Sequence, residues 1–497
     1  MLKRWLTWLF LLSFILVNCS HKQKVKRTLF RLLPASRTGI TFSNKLKPTP
    51  KLNTYTFRNF YDGGGVALAD VNNDGLLDIY FTGNNVGNRL YLNKGNFHFE
   101  DVTKEAGVGC DSLWSTGATF VDVNGDGLPD LFVCISGPPG GKDRHNKLFI
   151  NQGVGKDGVP RFKDESVKYG LALSGLSMQA SFFDYDGDGD LDMYLLNNPI
   201  RSVINFSEKT GAQRKIPDPL GGNKLYRNDN GHFVDVTQNA GIYSSIIGFG
   251  LGVSVSDVNR DGWPDIYISN DFFERDYLYL NNHNGTFREV LPKEMQGTSL
   301  SSMGADIADI NNDGWPDVFA TDMLPENEAR YRTKTSIQSW KEYQENIKKG
   351  YYYQFTRNTL QLNNGDGTYS EIGRLAGVDA TDWSWGALML DMNNDGYNDI
   401  FVANGIYRDL LDQDYTHTMS NPRAMMHILK NKTTGILKLI KLMPSEPISN
   451  YAFRNNGDLT FSDSSEAWGF ARPDFSNGAA YGDLNNDGAM DLVVNNA

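Results

Sequence analysis

The stretch DVNNDGLLD, residues 70–78, returns six more times: DVNGDGLPD (122–130), DYDGDGDLD (184–192), DVNRDGWPD (257–265), DINNDGWPD (309–317), DMNNDGYND (391–399) and DLNNDGAMD (483–491). A nonapeptide repeated seven times in 497 residues leaves little freedom of architecture, because the chain must be built from like units set side by side. Successive copies are spaced by 52 to 92 residues, so the smallest unit is 52 residues long and four units carry insertions.

Five residues before the first Asp of each copy stand Gly65, Gly117, Gln179, Gly252, Gly304, Gly386 and Gly478. Short apolar or small runs lead into each loop (VALA, ATFV, ADIA), and β-branched or aromatic runs leave it (IYFTG, IYISN, IFVANG). Such runs read as strands, so each acidic loop joins a hairpin. Most units add a third run ending in or near Asn and Gly, such as NRLYLNKG (88–95) or NTLQLNNGDG (358–367), and a fourth such as FHFEDVT (97–103). Asn and Gly there read as tight-turn residues. Four meandering strands in seven units predict an all-β fold, a seven-bladed β-propeller with Ca-binding hairpin loops, spanning residues 35–497. A linear β-solenoid would need shorter and more uniform repeats. The Gly before each loop suits inner strands crowded against a central axis. The seventh unit offers only two strands before Ala497, while TLFRLLPASRTGITFSN (28–44) resembles the end of a unit. An N-terminal strand is therefore expected to close the last blade, with its third strand supplied by sequence after Ala497.

The loop pattern is D-x-(D/N)-x-D-G-x-x-D. Side-chain oxygens at positions 1, 3, 5 and 9 converge when the loop curls, and the Gly at position 6 permits the turn. The candidate ligands are Asp70, Asn72, Asp74 and Asp78; Asp122, Asn124, Asp126 and Asp130; Asp184, Asp186, Asp188 and Asp192; Asp257, Asn259, Asp261 and Asp265; Asp309, Asn311, Asp313 and Asp317; Asp391, Asn393, Asp395 and Asp399; Asp483, Asn485, Asp487 and Asp491. Oxygen-only ligands in a flexible loop select a hard cation, and Ca²⁺ suits this count better than Mg²⁺. Up to seven structural Ca²⁺ are expected. The pattern is not an EF-hand: position 12 holds Phe81 or Val133 instead of Glu, and strands flank it. Metal-free turns would not need three carboxyl groups at fixed offsets. Divalent cations would also offset the formal net charge of −11.

These loops, the Gly upstream and the LYLN-type third strands resemble FG-GAP/VCBS repeat proteins, a family that includes the propeller of integrin α-subunits and the cartilage acidic protein group. TDMLPENEARYRTKT (321–335), residues 351–386 and NGIYRDLLDQDY (404–415) look like a bacterial lipoprotein branch of that group. The resemblance implies a binding propeller, in members often longer and ending in an ASPIC/UnbV-type domain, which is not visible here.

The N-terminus has its own pattern. Lys3 and Arg4 precede a nearly continuous apolar run, Trp5 to Val17, the form of an export signal. Leu16-Val17-Asn18-Cys19 resembles a lipobox, making residues 1–18 a signal, Cys19 the lipidated residue and 19–34 a basic tether. A plain secretory signal is the alternative, with a periplasmic or secreted product. With lipidation, the chain is a lipoprotein of the outer membrane or cell surface of a Gram-negative bacterium. Cys110 and Cys134 are expected as free thiols rather than a disulfide.

The acidic balance argues against a nucleic-acid partner. No G-x-S-x-G, H-E-x-x-H or nucleophile–base pair is recognisable, so no enzyme activity is expected. His98, His232 and His283 sit at repeated turns, a structural placement. Function is expected in the insertions at 322–357, with Tyr351–Tyr353, and at 405–449, with Lys430, Lys432, Lys438 and Lys441. Trp383, Trp385 and Tyr407 read chiefly as blade packing. A scaffold for a protein or glycan ligand is the expectation, and a polysaccharide-active enzyme is the alternative.

Overall fold

The computed structural model describes residues 28–137, 144–199, 210–335, 338–430 and 432–497. The signal, Cys19 and most of the tether lie outside the described residues. Each acidic loop is the connection of an antiparallel hairpin, closed by one pair in all seven copies: Ala69 opposite Asp78, Val121 opposite Asp130, and so on to Gly482 opposite Asp491. The Asp at position 9 therefore opens every second strand.

Six four-stranded antiparallel meanders follow, at residues 66–101, 114–164, 176–235, 250–289, 305–371 and 384–463. The inner strand of each touches the inner strand of the next, and the circuit returns to blade one. The expectation of seven four-stranded blades is corrected: among the described residues there are six, and the seventh repeat forms a two-stranded sheet, Ser476–Gly482 with Asp491–Asn496, between blades six and one. No strand forms in 28–44. That segment nonetheless lies against this sheet. Phe30 packs with Phe401, Trp468 and Val494, and Ile40 and Phe42 pack with Phe81, Leu484 and Val493.

The core is distributed between neighbouring sheets. Phe132, Leu148, Met193 and Leu195 fill the seam of blades two and three, and Tyr194, Leu225, Ile266 and Tyr279 that of blades three and four. Burial of these faces is what holds the ring. Near the axis the backbones themselves touch. A Cβ on Gly304 would lie 2.4 Å from the Trp385 carbonyl oxygen, so a side chain is excluded there. Cys134 is buried and Cys110 half-buried, and both are free thiols.

A meander alternates its connections between the two rims. Acidic loops and the turns between third and fourth strands share one rim. Connections between second and third strands share the other, and among these are 321–358 and 405–450. On that rim Phe57, Phe60, Trp114, Trp383, Tyr415, Ile440 and Met443 form a continuous apolar cap, with Trp385 and Tyr407 packed at its edge. The basic segment is two helices, Pro422–Ile428 and Lys432–Leu442, and the second buries Ile440 in this cap, with Ile436 and Leu437 packed against it.

Candidate functional site

In blade one the Asp70 carboxylate accepts the N–H groups of Asp74 (3.0 Å) and Gly75 (2.7 Å). Asp74 accepts the N–H of Leu76 (3.0 Å), and Asn72 Nδ2 donates to the other Asp74 oxygen (3.0 Å). The same set recurs in the second loop and in the fourth to seventh. Two left-handed residues make the curl: Gly75 at φ 85° and, unforeseen, position 4, Asn73 at φ 55°. Asn tolerates that conformation because its short polar side chain bonds locally. Here it also reaches sideways: Asn73 Nδ2 donates to the Gly127 carbonyl of loop two, and Asn312 Nδ2 to the Gly396 carbonyl of loop six.

In the third loop, carboxylate oxygens of Asp184, Asp186 and Asp188 all lie within 4.8 Å of one another. Asp186 Oδ1 is buried without a hydrogen-bond partner, and burial, then the Asp188 charge, raises the Asp186 pKa. An unpartnered buried oxygen among three carboxylates is a donor set that a hard cation fits. In the fourth loop His283 Nε2 lies 2.8 Å from Asp261 Oδ2, and the imidazole stacks on Trp263 (5.0 Å, 13°).

Position 9 stands apart from the other three. Asp78 is fully buried and accepts the N–H of Val71 (3.0 Å) and of Asn93 on the third strand (2.8 Å). Burial pushes its carboxyl up to about 7, with the charges of Asp74 and Asp70 adding to it. Asp130, Asp192, Asp265, Asp317 and Asp399 make the same two bonds. Among the described residues Asp491 shows only the bond from Leu484. Asn93 is more than a turn residue: its Nδ2 donates to the Leu484 carbonyl of the adjoining loop (2.8 Å). Asn151, Asn281, Asn363 and Asn455 do likewise toward Val71, Tyr185, Val258 and Ile310. The repeated Asn was visible in the sequence, but its cross-blade bond was not.

On the opposite rim, helix Glu328–Lys334 is tied to the 405–449 insertion by charge. Arg330 bonds both Asp382 oxygens and Glu446 (2.8 Å), and Lys334 bonds Asp412 (2.7 Å). Of the Tyr cluster, Tyr351 is buried and Tyr353 is exposed. Beside it Trp340, Tyr343 and Phe355 line an open cleft. Trp340 was not singled out in the sequence.

The FG-GAP-like repeat family model matches residues 70–133, 216–268, 257–320, 351–402 and 445–494, more than half of the chain. The chain belongs to the FG-GAP-like repeat family. This FG-GAP protein is similar to human integrin alpha-6, 41% identical over 81 residues, 14% of this chain and 7% of that protein. It is similar to cartilage acidic protein 1 from Xenopus tropicalis, 26% identical over 213 residues (42% and 29% of the two chains), and to the human protein of that name, 24% over 359 residues (69% and 47%). The chain spans less than half the length of these curated relatives. A solved lectin from Agrocybe aegerita, described as recognising non-reducing terminal N-acetylglucosamine, aligns over 86% of this FG-GAP chain and 84% of its own at TM-score 0.40 and 15% identity.

Proposed function

We propose that this FG-GAP propeller is a Ca²⁺-held scaffold that presents its insertion rim to a protein or glycan ligand outside the cell. One observation carries the reading: the two rims are specialised differently. One bears seven near-identical acidic loops linked side to side, and the other bears the insertions and the open aromatic cleft. Uniform loops serve the ring, whereas irregular, individually shaped segments on a rigid frame serve recognition.

The seven loops hold up to seven Ca²⁺ through positions 1, 3 and 5, with position 9 beneath. Bound cation offsets the repulsion among clustered carboxylates and stiffens the rim. Export and lipid anchoring rest on the first nineteen residues; Cys19→Ser is expected to move the protein from the membrane fraction to the soluble one.

The scaffold reading is tested by presenting the Ca²⁺-loaded protein with immobilised glycans and extracellular proteins. Saturable binding without new reducing ends or unsaturated products is expected. Glycan cleavage abolished by a substitution on either rim would replace the scaffold with a polysaccharide-active enzyme.

A further inference from the structure

The insertion between the second and third strands of blade five carries an aromatic face, that of Trp340, which the fold leaves open. Helix Trp340–Lys348 starts at a capping box: the Glu342 N–H donates to Ser339 Oγ (3.3 Å), and the Ser339 N–H to a Glu342 carboxylate oxygen (2.8 Å). That box sets the first turn and places Trp340 and Tyr343, three residues apart, on one face. Their rings stack at 5.3 Å and 27°. Phe355 extends the row, 5.7 Å from Tyr343 at 32°. It is held by the short parallel pairing of Gln354–Phe355 with Thr298–Ser299. Trp340 is 73% exposed and Phe355 40%, on an open cleft of about 1010 Å³.

Exposed rings alone would suit many apolar partners, and two further features narrow the choice. The cleft residues Arg357, Gln354 and Thr335 each carry a buried polar atom, Nε, Oε1 and Oγ1, without a partner among the described residues. Their other groups are used: Arg357 Nη2 bonds Glu371 (2.5 Å), and Gln354 Nε2 bonds the Glu274 carbonyl (3.2 Å). One donor, one acceptor and one hydroxyl that does both are thus left over. The formal charges of the cleft also cancel, Glu326 and Glu328 against Arg357 and Arg374.

A pyranose meets this combination. Its C–H face carries partial positive charge and stacks on the negative π face of an aromatic ring, while its hydroxyls both donate and accept. Tyr343 lies between Trp340 and Phe355, and the Arg357 guanidinium covers the Phe355 ring at 4.9 Å, so the outer face of Trp340 is the stacking position for a sugar unit, and a cleft without net charge favours a neutral chain. We propose that this cleft is a binding subsite for a neutral oligosaccharide, with the outer face of Trp340 as the stacking face and Arg357 and Gln354 as hydrogen-bonding groups. The proposal rests on the scaffold reading and names its ligand class.

The test is isothermal titration of the Ca²⁺-loaded protein with neutral gluco-, manno-, galacto- and xylo-oligosaccharides, with uronate oligosaccharides and extended peptides as competing classes. Saturable binding of at least one neutral chain is expected. Trp340→Ala should weaken it by about tenfold or more, the loss of one stacking face, with melting temperature unchanged because the ring is exposed. Trp340→Phe should restore part of the affinity. No neutral chain bound at millimolar concentration, binding indifferent to Trp340→Ala, or preference for uronates or peptides would each overturn the proposal. The scaffold reading is judged separately, by capture of any glycan or protein on the insertion rim, so an empty cleft leaves it standing.

Discussion

The backbone N–H of Phe30 donates to the carbonyl oxygen of Trp468 across 2.8 Å. The outer strands of blades three and four make the equivalent bond: Phe233 N–H to the Tyr169 carbonyl (2.9 Å) and Phe287 N–H to that of Ala240 (2.8 Å). Phe30 thus takes an outer-strand place beside the seventh repeat, although no strand forms there. The chain then passes through helix Ala35–Thr38 to Gly39, which abuts the Phe99 carbonyl of blade one. The N-terminal segment therefore bridges blade six and blade one.

Phe30→Ala is expected to lower stability by about 2 kcal/mol, the cost of emptying a partly buried aromatic site. Its ring contacts Phe470 at 5.1 Å, and both pack into the seam between blade six and the two-stranded sheet. A fall in the urea midpoint at unchanged slope would bear this out, and an unchanged midpoint would refute it.

Removing cation should destabilise the ring, because binding at preformed loops is linked to folding. Excess EGTA is expected to lower the melting temperature steeply, with recovery on adding Ca²⁺. Asp313→Ala should reduce bound Ca²⁺ by one equivalent. A melting temperature indifferent to EGTA would sink the structural-cation reading.

Two glycines should respond differently to Ala. Gly75, at φ 85°, has no atom within 4 Å of an added Cβ, so Gly75→Ala should cost only the left-handed conformation, about 1–2 kcal/mol. Gly304 is not left-handed, but Gly304→Ala drives its Cβ into the Trp385 carbonyl and should cost about 3 kcal/mol or more. Denaturant titration of the two variants gives the ranking, and the reverse order would contradict the crowded axis.

Asp62 lines the central channel, and burial pushes its carboxyl up to about 7. The Asn59 hydrogen bond and Arg58 act against this, and Asp271 reinforces it. The folded state then holds the proton more tightly than the unfolded chain, whose value is near 3.8. This contribution to stability is full below pH 3.8 and is lost as pH rises through 7. Asp62→Asn should therefore be more stable than the parent at pH 8 by about 1–2 kcal/mol, with the difference gone near pH 4. Urea midpoints at the two pH values measure it, and a variant less stable at pH 8 would show that the charged form is favoured.

The hairpins were legible in the sequence because their determinants are local. A carboxylate that accepts N–H groups four and five residues ahead, and a Gly that turns left-handed between them, are both written within nine residues. What escaped were roles filled by distant partners. Asn93 reads as a turn residue until its amide is seen on Leu484, and the N–H groups of Val71 and Asn93 that the Asp78 carboxylate accepts are likewise visible only in the fold. Trp383 was legible as packing by its place beside a repeat. Trp340 carried no such mark, because its exposure depends on which surfaces the cap covers.

The sequence by itself determined the number of repeats, the place of each hairpin and the curl of each loop, since residue spacing and turn conformation are short-range properties. Only the tertiary structure decided how the ring closes and what faces outward. Closure joins groups 411 residues apart, as where Asn486 Nδ2 donates to the Gly75 carbonyl (2.9 Å). No local rule selects such a pair. It exists because apolar faces buried between successive sheets bring the last repeat back against the first.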